Sequence, residues 1–152
     1  SSVLVMMRML TGEQVHDFAA AALATRRRTN SWHDRSAHLQ LPWPASLGTR
    51  PAALIRDLGE DRVNRVVDPY RPQRAYAAIV ASLARNRPVP LYIGEGSWMQ
   101  HIALVVAASD DALDLYEPST GRVVTRTREQ FQTAQLRLAG WDQPWLVILP
   151  RD

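Results

Sequence analysis

Two residues in the C-terminal half are of types that move and hold protons. His101 stands near the start of the apolar run MQHIALVV (Met99–Val106), and Glu117 lies one predicted strand later in YEPSTG (Tyr116–Gly121). A histidine at the rim of a sheet, half buried, is placed where its surroundings decide its protonation. A carboxylate one strand away can orient the imidazole and stabilise its cation. These are the second and third members of a nucleophile–base–orienter arrangement. On spacing alone, the same two residues also read as polar strand ends. The 152 residues include no cysteine, which excludes a disulfide framework and a thiolate metal site. His16 lies among alanines and reads as a surface or helix-packing residue. His33, Asp34 and His38 form a loose group whose spacing matches no firm zinc signature, so neither a metal nor a cofactor is expected.

Register decides whether the pair can meet. If Ser109 pairs with Ala112 across a two-residue turn at Asp110-Asp111, regular pairing sets Leu104 opposite Glu117 and sends His101 to the other face. A bulge or an odd-length connection sets Ala103 opposite Glu117, and both polar side chains then share one face. The second arrangement is the expectation, with the shared face turned toward the N-terminus of the first helix.

The elements that must position the pair follow from periodicity. Val3 to Leu10 is apolar at nearly every position and reads as a buried helix. Thr11 with Gln14 is a capping-box pattern opening a second helix from about Gly12 to Arg26, and Arg26 to Arg28 read as its solvated end. Thr29 to Arg50 is a long irregular loop, anchored by Trp32 and Trp43. Pro51 suits the first turn of a short helix ending near Gly59. Pro72 opens another through about Asn86, with Tyr76, Ile79, Val80 and Leu83 on one face. After Pro88 the pattern turns to strands: Val89–Ile93, Ile102–Ala107, Leu113–Tyr116, a strand around Val123 and Val124, and Trp145–Leu149, stopped by Pro150. Thr127 and Gln130 form a second capping box for a short helix through Phe131. Trp141 and Trp145 read as tryptophans closing the sheet edge. Helices clustered before strands predict an α+β class, as one domain over residues 1–152.

Composition narrows the function classes. All 18 basic residues are arginine and the net charge is +3. A GC-rich coding sequence accounts for the first, and the second is too small to argue for nucleic acid. No apolar run approaches the ~20 residues of a membrane helix, so a soluble chain is expected. The chain opens at Ser1 without a methionine, as a processed product, an excised domain or a shortened chain would. That leaves room for a lost targeting segment; a cytoplasmic location is the expectation.

The run RPVPLYIGEGSWMQHIALVV followed by LDLYEPSTGRVV, with the opening SSVLVMMRML, resembles papain-like cysteine peptidases of the bacteriocin-processing type. In that family a histidine starts a strand, a D-P-x-x-G turn after the next strand supplies an acidic orienter, and the nucleophilic cysteine heads a buried helix. The resemblance covers the first ten residues and about Pro88 to Val124. It implies a papain-like fold, with N-terminal helices packed on a C-terminal antiparallel sheet. It also implies His101 as general base, Glu117 as orienter, and a peptide or protein segment as the partner in the cleft. The cysteine would lie about two positions before Ser1. Two departures stand out: Glu117 replaces the usual aspartate, and neither the cysteine nor the upstream oxyanion-hole glutamine is among the 152 residues. Three functions follow. The first is a papain-like thiol hydrolase, incomplete as this chain. The second is a non-catalytic binding or assembly module on the same scaffold. The third, an N-terminal-nucleophile hydrolase using Ser1, is disfavoured because Val3–Leu10 reads as a helix and such nucleophiles begin a strand.

Overall fold

The computed structural model describes residues 2–10, 14, 17, 20, 21, 55, 62–96 and 98–151. The second helix, the long loop with its tryptophans, the helix at Pro51, and His16, His33, Asp34 and His38 fall almost wholly outside these residues. Nine elements are described: α1 (Ser2–Leu10), β1 (Arg62–Val66), α2 (Pro72–Ala84), β2 (Val89–Glu95), β3 (Trp98–Ala108), β4 (Ala112–Glu117), β5 (Arg122–Thr127), α3 (Arg128–Gln132) and β6 (Gln143–Pro150). The strands form one sheet in the order β1-β6-β2-β3-β4-β5, with every neighbouring pair antiparallel.

The central strands are apolar on both sides because both faces of the sheet are covered. On one face, α2 and α3 bring Tyr76, Ile79 and Phe131 against Leu91, Ile93, Ala103, Val105, Leu113, Leu115 and Val147. On the other, α1 brings Val3 and Met7 against Tyr92, Ile102, Leu104, Tyr116, Leu146 and Ile148. Alternate residues of each strand therefore belong to different cores. This is why β2 is buried from Val89 through Gly94. Burying the side chain of a residue such as Leu104 or Ile79 contributes roughly 1.5–3 kcal/mol, so the two cores together hold the sheet between its helices.

Local chemistry sets the element ends. Pro72 stands in the first turn of α2, where its missing N–H costs nothing. Thr127 caps α3: its hydroxyl accepts from the Gln130 N–H at 3.1 Å, and the Gln130 side chain accepts from the Thr127 N–H at 2.9 Å. Leu138 and Trp141 close a two-residue hairpin by exchanging backbone hydrogen bonds at 2.8 and 2.9 Å. Its central residues, Ala139 and Gly140, have φ of 51° and 85°, the paired left-handed geometry that matches the twist of such ladders.

The element order differs from the expected succession of helices followed by strands. β1 precedes α2 and pairs with the last strand, β6, so the sheet begins before the helical part of the chain has ended. In RVNRV only the first residue, Arg62, is buried and Val63 is half-buried, which is the weak apolar signal of an edge strand. Arg62 donates to the Pro88 carbonyl at 2.9 Å. Pro150 does not stop β6 but ends within it, opposite Arg62. A proline at a strand's last position forfeits little of the ladder.

Candidate functional site

Two antiparallel ladders meet in the geometry of β3. Toward the turn, Ser109 N–H donates to the Ala112 carbonyl at 2.9 Å and Ala108 faces Leu113, as a two-residue connection requires. Further along, Leu104 faces Tyr116 and Val105 faces Leu115. One residue, Val106, has been absorbed between Val105 and Ala107 as a bulge. Continued by one rung, this register sets Ala103 opposite Glu117, so His101 and Glu117 lie on the same side of the sheet.

The two side chains are in contact. His101 Nε2 and Glu117 Oε1 are hydrogen-bonded, and the contact is also an ion pair when the ring is charged. The Glu117 side chain is 5% exposed and that of His101 19%, so the carboxylate is buried while the ring keeps access to solvent. With Nε2 engaged by the carboxylate, Nδ1 is the ring nitrogen left to accept a proton.

Glu117 is held from its other side by the turn that follows it. Ser119 donates its hydroxyl to Oε2, and its backbone N–H to Oε1 at 3.3 Å. The turn closes on the Glu117 carbonyl, which accepts from Gly121 N–H at 2.8 Å; Gly121 has φ of 70°, a left-handed conformation suited to glycine. Burial by itself pushes the Glu117 carboxyl upward. Hydrogen bonds from the Ser119 hydroxyl, from His101 and from the Ser119 N–H outweigh that, with help from the charge of His101. The net result is a carboxyl below the usual range. The group is therefore a carboxylate at neutral pH.

Ser119 was visible in the sequence only as a turn residue. A serine two positions after a carboxylate, beyond a proline, is a local side-chain pattern of the kind that folds back on its neighbour; that spacing was the available signal. Trp141 packs against the α2-side core and Trp145 against the α1-side core, so both contribute to the sheet's covering. Trp145's indole N–H is buried and has no hydrogen-bond partner among the described residues.

Ile102 follows His101, Tyr116 precedes Glu117, and both pack in the core that α1 fills with Val3 and Met7. Strand alternation sets the pair itself in the row of Ala103 and Leu115, which faces α2 and not α1. The pair is thus beside the core under α1 and not beneath the helix. The expected facing of the pair toward the N-terminus of α1 is therefore corrected: the shared face is the one that α2 covers, because Ile93, the cross-strand partner of His101, belongs to the α2-side core. Among the described residues, no group of three or more histidine, cysteine or acidic side chains converges as a metal site. No described helix is long and apolar enough to cross a membrane.

Comparison with known proteins places the architecture. No protein-family model matches the chain, and no curated protein matches it. Among solved structures, the peptidase domain of Streptococcus ComA, a bi-functional ABC transporter involved in a quorum-sensing pathway, aligns with a TM-score of 0.55. The alignment covers 98% of this chain and 88% of that domain at 15% identity. The peptidase domain of Streptococcus mutans ComA aligns at a TM-score of 0.45 and 17% identity over 74% of this chain and 81% of that one. The first likeness extends over nearly the whole chain and establishes a papain-like peptidase fold of the α+β class.

Proposed function

We propose that this chain is a peptidase-type domain that cleaves a peptide or amide bond through a thiol nucleophile, with His101 as general base and Glu117 as its orienter. The observation that carries the reading is the contact between His101 Nε2 and a buried Glu117 carboxylate, on a fold shared with a peptidase domain. In this reading Nδ1 of His101 takes the proton from a thiol, leaving a thiolate and an imidazolium that Glu117 stabilises across the ring. The thiolate adds to the substrate carbonyl. The tetrahedral intermediate collapses as the imidazolium returns its proton to the departing amine, and water then hydrolyses the thioester. Backbone N–H groups at the head of α1 are suited to the oxyanion. The chain has no cysteine, so this mechanism takes its thiol from a cysteine that the family resemblance sets about two positions before Ser1, and that thiol has to meet Nδ1 round the end of the sheet, since α1 covers the other face. The substrate is a peptide or protein segment lying in the cleft beside the pair.

The same absence of cysteine favours a second reading, a papain-like module that binds a segment without cutting it. One experiment separates the two. A thiol-directed covalent probe is applied to a form of the protein that carries its native residues ahead of Ser1, and to the same form with His101→Ala. Labelling that falls at least tenfold in the variant supports the hydrolase. Labelling that is absent, or that is equal in both, rejects it and leaves the binding module.

A further inference from the structure

The orienting carboxylate here has one more methylene than an aspartate, and so one more rotatable bond. A glutamate reaching a histidine on the neighbouring strand must give up that rotamer freedom to hold the contact. Unless something fixes the end of the arm, the carboxylate can swing off Nε2. The turn Pro118–Gly121 supplies what is needed within two residues. The Ser119 hydroxyl holds Oε2, its N–H holds Oε1, and Oε1 is the oxygen that meets His101. Ser119 itself is exposed, so its side chain is not spent on filling the core.

We infer that Ser119 is a positioning residue. Its hydroxyl clamps the Glu117 carboxylate so that Oε1 stays on His101 Nε2, which keeps the ring's proton on Nε2 and its lone pair on Nδ1. The inference deepens the reading of the pair as base and orienter, but it concerns a tautomer and can be tested without a nucleophile. The charged and titratable neighbours of the carboxylate are His101, Tyr116 on the preceding position, and Arg122, its cross-strand partner. None of these replaces the hydroxyl's contact with Oε2.

The test uses NMR on the 152-residue chain. Nitrogen-15 shifts report the His101 tautomer at a pH where the ring is neutral, and a carbon-13 titration follows the Glu117 carboxyl. In the parent chain His101 shows the Nε2-protonated pattern. In Ser119→Ala the two tautomers mix and the Glu117 carboxyl titrates at higher pH, while the amide spectrum of the two cores is unchanged. Ser119→Thr, which keeps the hydroxyl, restores the parent pattern; Ser119→Val, its near-isostere without the hydroxyl, behaves like the alanine variant. The Thr and Val pair also decides the matter if the alanine variant does not fold. Parent-like His101 and Glu117 signals in Ser119→Ala or Ser119→Val would overturn the inference. Failure of the thiol-probe experiment alone would remove the hydrolase reading and leave the clamp standing.

Discussion

Replacing Glu117 with glutamine removes the charge of the orienter while keeping its shape. The carboxylate accepts three hydrogen bonds, from His101, the Ser119 hydroxyl and the Ser119 N–H. An amide can keep its oxygen on His101 and the N–H of Ser119, and the Ser119 hydroxyl can rotate to accept from the new NH2 group. The bonds are therefore retained in number and lose their charge assistance. Charged hydrogen bonds contribute ~1.5–3 kcal/mol against ~0.5–1.5 for neutral ones. Relief from burying a charge offsets part of the difference, leaving a loss of about 1–2 kcal/mol near pH 7. For a domain of this length that corresponds to a fall of about 2–8 °C in the melting temperature. The pH dependence gives the sign. The folded Glu117 carboxyl lies below its ordinary value, so its contribution is fully present above the unfolded value and is lost as pH falls through the folded one. Urea unfolding of parent and Glu117→Gln from pH 7 to pH 3 should show a gap that is constant near neutrality, closes through the carboxylate range and vanishes in acid. A gap that widens in acid, or one independent of pH, would refute the assignment of Glu117 as a stabilised carboxylate.

Three further outcomes follow from local geometry. Thr127→Ala removes the hydroxyl half of the capping box on α3 and leaves the backbone N–H that donates to the Gln130 side chain; it should lower stability by about 1 kcal/mol, with Thr127→Ser close to the parent in a urea melt. Ala139 holds φ of 51° in the Leu138–Trp141 hairpin; Ala139→Asn should raise the unfolding midpoint by about 0.5–1 kcal/mol equivalent, and a fall would show that the turn is not under strain. Deleting Val106 should remove the β3 bulge and leave the His101–Glu117 contact in place. The residues on either side then alternate without interruption, and the nitrogen-15 pattern of His101 would report any loss of the contact.

The strands were legible because they are buried on both faces. Continuous apolar runs such as Val89–Ile93 and Ile102–Val106 mark a strand whatever side it presents. Thr127 with Gln130, and Pro72, likewise carried their own chemistry. β1 was not legible. Of its five residues only Arg62 is buried, and it is a charged residue drawn inward by the carbonyl of Pro88. Its pairing with β6 joins Arg62 to Pro150, a separation that no local pattern spans. Nor could composition show that α1 and α2 lie on opposite faces. Both are apolar helices, and the division arises only when alternate residues of β2 and β3 are assigned to their separate cores.

The site depended on a parity that no residue in LVVAA announces. With Asp110-Asp111 as a two-residue turn, an uninterrupted ladder parts His101 from Glu117, and that turn is present. What overrides it is held by the outer neighbours of the two strands. β3 is fixed against β2 through Leu91 opposite Ala103 and Tyr92 opposite Ile102, with Tyr92 and Ala103 in different cores and both wholly buried. β4 is fixed against β5 through Leu115 opposite Val124 and Tyr116 opposite Val123. Sliding either strand by one residue would exchange its core faces and cost several buried side chains at roughly 1.5–3 kcal/mol each. A bulge forfeits about one ladder hydrogen bond, roughly 0.5–1.5 kcal/mol net. The mismatch is therefore taken up at Val106, the half-buried residue between the fixed rungs and the turn. Packing on both flanks of the hairpin, not the hairpin's own sequence, brings the histidine to the carboxylate.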